Sequence, residues 1–473
     1  MLNQDFKKLN ESFSLISLTD NQKAKLMFKK DIRYNIWAQM NPKLAYEYFY
    51  KDFNNQQIVP NGVLEYLGIT TKSEINEKLD SQLEIIIKNL EPFPVYDYQK
   101  QAIKDAIQFH KLFIRAATGA GKSVIIGLIA KILTLKKLKG LILVPNISLT
   151  NQFNNDLINY KLNIETRLIG GENNIKSFDK PLTISTWQSV KNFKEALNDL
   201  DFIIVDEAHT AKADQIFDIC NKCINAKYKI GLTGTIPDNE IDAMRLISIF
   251  GLPRTYITPR GLIDRGLATN AIINIIDLKY KFNFEGEYSS QLKQLKEYDP
   301  RNNLIQRLSD TVVSKGNTLV LFSHTEHGLT LFYKFLKSRG LNYDKKTYKD
   351  LAFQQRNNVF FINGMIEGSQ RETIRQLIDS VDNAIIVANY ATTSTGVNIK
   401  NLHNLVLASP LKSYVTITQS IGRLLRLHKS KDIVNIYDIA DHNGFFKKQI
   451  NARITKSYEP EGYEIKRFEY NIN

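Results

Sequence analysis

Leu112-Phe113-Ile114-Arg115-Ala116-Ala117-Thr118-Gly119-Ala120-Gly121-Lys122-Ser123-Val124-Ile125-Ile126 packs a strand, a tight loop and a helix start into one run of sequence. Leu112–Arg115 is a short apolar run of strand character, and Val124–Leu133 reads as a buried helix. Between them Gly119 and Gly121 let the backbone curl, so that amide N–H groups point inward. The positive end of the following helix adds to their field. Strand, glycine-rich turn and helix in that order are the context in which such a loop holds phosphate. Thr118 and Ala120 complete the loop. Lys122 is placed to neutralise the β- and γ-phosphates of a nucleotide, and the Ser123 hydroxyl to ligate Mg²⁺. The strict pattern has Gly where this chain has Ala116.

Outward from this loop, short apolar runs alternate with helical segments. Leu112–Ala116, Gly140–Val144, Leu182–Ser185, Phe202–Val205 and Lys229–Leu232 read as buried strands. The alternation resumes after Gly266 with Ile272–Ile276, Thr318–Phe322, Val359–Ile362, Ala384–Ala388, Leu405–Ala408 and Ile433–Tyr437. Strands separated by helices predict parallel sheets covered on both faces. The expected fold class is therefore α/β, two parallel-sheet domains in tandem behind a small α+β N-terminal domain. Its expected boundaries are 1–90, 91–262, 263–440 and a C-terminal tail over 441–473, where the pattern fades. Asn283–Arg301 reads as a charged helical or loop insertion. Glu91-Pro92-Phe93-Pro94 reads as a linker, because two prolines stop a helix.

A second motif supports the first. Phe202–Val205 ends in Asp206-Glu207-Ala208-His209, and a carboxylate at the end of a parallel strand lies where open α/β sheets bind ligands. Asp206 is suited to hold Mg²⁺ and Glu207 to orient and deprotonate an attacking water. Gln419-Ser420-Ile421-Gly422-Arg423-Leu424-Leu425-Arg426 puts two arginines on one helix face, a source of positive charge for a leaving phosphate. Cys220-Asn221-Lys222-Cys223 has half of a zinc spacing without a second half, so it reads as a buried helix pair. His324 and His327 are close enough to face one another in a turn.

The chain has 473 residues, 43% hydrophobic and 24% charged, with two cysteines. That composition excludes collagen-like, mucin-like and disulfide-scaffold classes. No apolar run is long enough for a membrane span, so a soluble, cytoplasmic protein is expected. The net charge of +14 points to a polyanionic partner. Residues 1–90 carry 12 basic and 11 acidic side chains, 91–260 carry 22 and 17, and 261–473 carry 29 and 21. The excess thus lies on the two α/β domains.

The ordered motifs over about residues 95–440 resemble those of superfamily 2 helicases and translocases, and most closely the phage UvsW-type DNA helicases. The resemblance implies two RecA-like domains and an ATP site between them. Tyr96-Asp97-Tyr98-Gln99 looks like the adenine-reading motif, so Gln99 is implied to contact the base. Leu232-Thr233-Gly234-Thr235 resembles motif III, which couples nucleotide state to closure through His209. Val144-Pro145-Asn146-Ile147-Ser148-Leu149-Thr150 and Ile184-Ser185-Thr186-Trp187-Gln188 resemble the strand-gripping motifs Ia and Ic. Leu321-Phe322-Ser323-His324 resembles motif IV, with Asn363-Gly364 and Arg371 following it. Thr393-Ser394-Thr395-Gly396-Val397-Asn398 resembles motif V, and Gln419 to Arg426 motif VI. Pro145, Asn146, Thr150, Thr186, Trp187, Gln188, Ser323, His324 and Thr393 are thereby implied as nucleic-acid contacts. Gly396 is implied at the nucleotide, Gln419, Arg423 and Arg426 in catalysis. Arg33-Tyr34-Asn35-Ile36-Trp37 and Ile58-Val59-Pro60-Asn61-Gly62 echo the N-terminal domain of that group.

The expected activity is an ATP- and Mg²⁺-dependent DNA helicase or translocase, a monomer acting on single-stranded and branched DNA beside recombination or replication proteins. Two other readings stand beside it. One is an RNA helicase, since such motifs grip the backbone. The other is a strand-annealing or junction-binding protein that uses ATP as a switch.

Overall fold

Short N-terminal segments form antiparallel structure, since hairpin-joined strands need only a few residues each. Strands β1 (Phe6–Lys8), β2 (Phe13–Ile16), β3 (Met27–Lys29), β4 (Tyr46–Tyr48), β5 (Lys51–Phe53) and β6 (Gln56–Pro60) make a sheet of order β1-β2-β6-β5 and a separate β3-β4 ribbon. The β5–β6 hairpin turns through Asn54 and Asn55, at φ 44° and 58°, where asparagine tolerates the left-handed conformation that such turns demand. This computed structural model describes residues 6–30, 45–69, 79–88, 93–170, 177–191, 193–209, 213–341, 358–363, 368–390, 399–411 and 413–472.

The small N-terminal core is completed by the α/β part that follows. Ile16, Leu26, Phe49, Val59, Val63 and Leu64 bury themselves together with Met244, from the helix Glu240–Phe250. Glu47 grips Arg245 of that helix with two bonds of 2.8 and 2.7 Å. The Gly62 N–H donates to the Ser248 carbonyl at 3.0 Å, and a Cβ on Gly62 would stand 2.3 Å from the Ile247 carbonyl oxygen. Only glycine permits so close an approach of two backbones. Residues Met1–Ile257 accordingly form one compact unit, and Thr258–Asn473 a second.

In the first unit β7 (Lys111–Ala116), β8 (Gly140–Val144), β9 (Thr166–Ile169), β10 (Leu182–Thr186), β11 (Phe202–Val205), β12 (Tyr228–Thr233) and β13 (Pro253–Ile257) form a parallel sheet of order β13-β7-β12-β11-β8-β10-β9. The central strands β8, β10, β11 and β12 are buried throughout, as strands covered on both faces must be. In the second unit β14 (Asn270–Tyr280), β15 (Thr318–Phe322), β16 (Val359–Ile362), β17 (Ile385–Asn389), β18 (Asn404–Leu407), β19 (Ile433–Asp441) and β20 (Glu464–Ile472) repeat the arrangement in the order β16-β17-β15-β18-β19-β14-β20. Both are RecA-like parallel sheets.

Residues 441–473 are not a tail. They form the helix Lys447–Arg453, a π-turn over Ile454–Tyr458, and the edge strand β20, parallel to β14. The strand Glu-Ile-Lys-Arg-Phe-Glu-Tyr-Asn-Ile is exposed along most of its length, so it has no apolar run to betray it. Backbone hydrogen bonds to one neighbour place it instead. Asn283–Arg301 is helical over Tyr288–Glu297 and enters the helix Asp299–Val312. Among the described residues no helix is long and apolar enough to cross a membrane.

Candidate active site and strand-binding residues

The phosphate-type loop forms as its sequence requires. β7 ends at Ala116, the helix Lys122–Leu135 begins five residues beyond Ala117, and Gly119 and Gly121 lie at φ 89° and 73°. A Cβ on Gly119 would meet nothing within 4 Å, so the loop faces open space there. On its other side the loop is clamped. The Gln99 amide and the Tyr98 phenol both donate to the Ala120 carbonyl, at 2.8 and 3.0 Å. Gln99 also accepts from the Tyr96 N–H at 2.9 Å and is buried. Both ends of its amide are engaged, which leaves one N–H and one lone pair for the adenine contact expected of it.

Beside the loop lies a chain of polar groups. Lys122 Nζ is 3.1 Å from Glu207 Oε1, and the other Glu207 oxygen is 3.5 Å from His209 Nδ1. His209 Nδ1 meets Thr233 Oγ1 at 2.5 Å. The Thr233 hydroxyl donates its own proton to the Thr235 carbonyl at 2.5 Å, so it accepts from His209, and the Nδ1–H tautomer is fixed. Burial pulls His209 below the ordinary histidine range, which keeps the ring neutral despite Glu207. Gly234 closes the chain back onto the loop, for a Cβ there would lie 3.5 Å from Thr118 Oγ1 and 3.8 Å from Lys122 Nζ. Glu207 itself sits at φ 46°, a left-handed conformation costing a side-chain-bearing residue about 1–2 kcal/mol.

Asp206 accepts from the Glu207 N–H at 2.9 Å, and burial together with the Glu207 carboxylate pushes its pKa up to about 7, against the pull of Lys122. A buried carboxylate so crowded is suited to a cation. The Asp206 and Ser123 oxygens are hard donors of the kind Mg²⁺ takes in small number, leaving other positions to water and phosphate. Among the described residues no group of three His, Cys, Asp or Glu side chains is placed to hold a metal ion. One partner had no signal in the sequence: the Tyr160 phenol stands 3.1 Å from Ser123 Oγ and packs edge-on against Phe93 at 5.1 Å.

The strand-binding candidates divide. Asn146 caps the helix Ile147–Asn159 by accepting from Leu149 N–H at 3.0 Å, and Gln188 is exposed. Thr150 is buried, its hydroxyl given to the Ile147 carbonyl at 2.6 Å, and Thr186 is a buried cap for the short helix Trp187–Val190. Trp187 is half-buried and packs against the hydrophobic core of the first unit, so part of its ring is committed to the protein. Pro145 stands between β8 and that cap. In the second unit Ser323 donates its N–H to Ser409 Oγ at 3.2 Å, and His324 is exposed at the start of the helix Thr325–Ser338. His327 does not face it. It is buried between Ser409 and Asn302, and desolvation with nearby Arg301 lowers its pKa to about 3. Thr393 and Gly396 lie outside the described residues. Gln419 and Arg423 lie on the helix Tyr414–Leu424, and the half-buried Arg426 follows it. Cys220 and Cys223 are buried thiols, the latter pushed up to about 12 by desolvation.

With this geometry in hand, relatives are informative. Residues 92–238 match the family described as type III restriction enzyme, res subunit. The ATP-dependent DNA helicase UvsW of enterobacteria phage T4 is 31% identical over 417 residues, which span 84% of this chain and 79% of that relative. The chain belongs to the UvsW-type ATP-dependent DNA helicases. The helicase is also 30% identical over 190 residues to the DNA 3'-5' translocase XPB2 of Sulfurisphaera tokodaii, covering 38% of this chain and 41% of that one. In architecture it is similar to Dbp5 of S. cerevisiae bound to RNA and ADP BeF3, with a TM-score of 0.56 at 14% identity over 82% of this chain and 93% of that chain. That likeness concerns the fold alone.

Proposed function

We propose that this helicase hydrolyses ATP at the loop Thr118–Ser123 and uses the cycle to move along one DNA strand and remodel forks and junctions. The observation that carries the reading is the connected chain Lys122–Glu207–His209–Thr233 against Gly234. It joins the phosphate-binding lysine to the start of motif III through groups that each touch the next. Ser123 and Asp206 would hold Mg²⁺, which would supply neutralisation of phosphate charge.

The remaining steps belong to the chain's own side chains. Lys122 pairs with Glu207. A γ-phosphate competes for the ammonium, and Glu207 is then freed to orient a water and take its proton. Neutral His209 reports the Glu207 position to Thr233 and so to the Gly234 turn. Arg423 and Arg426 supply positive charge to the transition state, and the neutral Gln419 amide supplies hydrogen bonds. Opening a base-pair step costs roughly 1.4 kcal/mol, so strand separation is within reach of a hydrolysis cycle.

The first ninety residues contribute to DNA binding in this reading. Glu47 and Glu65 are turned onto Arg245 and Arg254 of the same unit, while Lys7, Lys8, Lys25, Lys29 and Lys51 are exposed. A nearly neutral segment thereby presents an exposed surface rich in lysine. The helicase acts as a monomer in the cytoplasm of the cell that makes it, beside recombination or replication proteins. The test compares ATPase stimulation by single-stranded DNA, single-stranded RNA, forks and four-way junctions. Stimulation by DNA and unwinding of forks are expected; stimulation by RNA alone overturns the choice of substrate.

A further inference from the structure

Nothing in the proposed chemistry gives a task to two buried cations of the second unit, Arg453 and Lys431. Arg453 lies in the C-terminal segment that the sequence pattern left unplaced. Its guanidinium forms a two-pronged pair with Asp438 of β19, at 2.7 and 2.8 Å. Its remaining nitrogen donates to the Leu411 carbonyl at 3.2 Å. Leu411 is two residues before Ser413, the N-cap of the motif VI helix Tyr414–Leu424. The Tyr458 phenol, from the π-turn that packs on this helix, donates to the same Asp438 at 2.7 Å.

Lys431 stands at the other end of that helix. Its ammonium donates to the Leu424 carbonyl at 2.6 Å and to the Leu402 carbonyl at 3.2 Å. Leu424 is the last residue of the helix, where carbonyls lack intrahelical partners and a cation is favoured by the helix dipole. Thr269 adds a third tie, its N–H donating to the Leu425 carbonyl at 2.7 Å and its hydroxyl to the Arg426 carbonyl at 3.4 Å. The helix that bears Gln419 and Arg423 is thus held at its entry by one buried cation and at its exit by another.

We infer that Arg453 and Lys431 are positioning residues for hydrolysis, fixing the axial placement and pitch of the motif VI helix so that its arginines meet the phosphates in one geometry. This rests on the motif VI reading above. Neither residue is needed to build the sheet, whose strands pair through their own backbones. One hydrogen bond from each goes to a flank of the helix, Arg453 to Leu411 and Lys431 to Leu424. Guanidinium and ammonium suit these roles differently. Arg453 spans a carboxylate and a carbonyl with a planar fork, which a lysine cannot imitate. Lys431 caps carbonyls as a point charge, which an arginine can replace.

Protonation gives the second cation a signature of its own. Burial, and the Arg426 guanidinium nearby, lower Lys431 to about 8. A lysine with a lowered folded pKa is charged below that value and neutral above it. The clamp at the helix exit therefore weakens as pH rises through about 8.

The experiment measures DNA-stimulated ATPase as kcat and KM across pH 6.5–10 for wild type, Arg453→Met, Arg453→Lys, Lys431→Arg and Arg423→Ala, with single-strand affinity measured alongside. A misplacement of about 1 Å costs up to about 100-fold in rate, so Arg453→Met is expected to lower kcat by at least about 10-fold with KM for ATP and strand affinity within about 2-fold. Arg453→Lys should recover little. Lys431→Arg should keep the wild-type kcat at pH 7 and lose the fall in kcat above pH 8. If Arg423→Ala abolishes hydrolysis while Arg453→Met leaves kcat within about 2-fold, or while Lys431→Arg retains the alkaline fall, the positioning role is wrong. If Arg423→Ala itself leaves kcat intact, the motif VI reading has failed instead.

Discussion

The two seven-stranded sheets share strand number and parallel direction, yet their carboxyl ends are built in opposite ways. At the ends of β7, β11 and β12, Lys122, Glu207, His209 and Thr233 touch in series, and the Lys122–Glu207 pair keeps some solvent access. At the end of β19, Asp438 and Asp441 are sealed, each gripped by an arginine, Arg453 and Arg301, that is itself buried. The first arrangement can exchange partners, because a phosphate can take the lysine from the glutamate. The second cannot, since breaking a fully buried pair strands a charge at a cost of about 3–5 kcal/mol. In the proposed mechanism the first sheet carries the reacting groups and the second holds its arginines still.

Substitutions in the reacting cluster should have the largest effects on rate. Lys122→Ala or Glu207→Gln is expected to reduce steady-state ATP hydrolysis by roughly 1,000-fold or more while leaving single-strand affinity in place. Thr233→Val removes the acceptor that fixes the His209 tautomer. About a 10-fold fall in kcat is expected, with a larger loss of unwinding per ATP, measured by coupled ATPase and fork-unwinding assays. A Thr233→Val enzyme that unwinds as efficiently per ATP as wild type would remove His209 from the coupling route.

Substitutions at packing contacts outside both of these clusters should report in stability instead. Gly62→Ala drives a methyl group into the Ile247 and Ser248 carbonyls of the first unit, so a loss of about 3 kcal/mol is expected from denaturant unfolding. His327 is the smallest of these effects and depends on pH. Its folded pKa of about 3 lies below the unfolded value, so its stabilisation is present above about pH 6.5 and lost as pH falls toward 3. Between pH 7.5 and pH 5 it should cost about 2 kcal/mol, and His327→Gln should flatten that part of the urea-midpoint profile.

The same contrast explains what could be read from the sequence. Fully buried strands are announced by an apolar run: β8, β11, β15 and β16 begin and end where their hydrophobic runs do. Edge strands β9, β13 and β20 are half exposed and carry no such run. Motif residues were legible because phosphate chemistry fixes both residue type and local spacing. Tyr160, Lys431 and Arg453 were not, since their partners are a hydroxyl, main-chain carbonyls and the Asp438 carboxylate, all presented by other elements at no fixed spacing. Thr150, Thr186 and Trp187 matched strand-gripping motifs, yet much of their capacity is spent on caps and core. A motif fixes where a residue lies in the chain, while burial decides which of its atoms remain available.

In the proposed mechanism Lys122 and Glu207 exchange a mutual ion pair for ATP and thereby drive strand separation. This exchange is tested most directly by following ATP-dependent unwinding of a forked DNA duplex with wild type, Lys122→Ala and Glu207→Gln at matched DNA occupancy. Wild type should open the fork only with ATP, and both variants should bind the fork without opening it. A variant that still unwinds with ATP, or a wild type that separates strands equally well without it, contradicts the account.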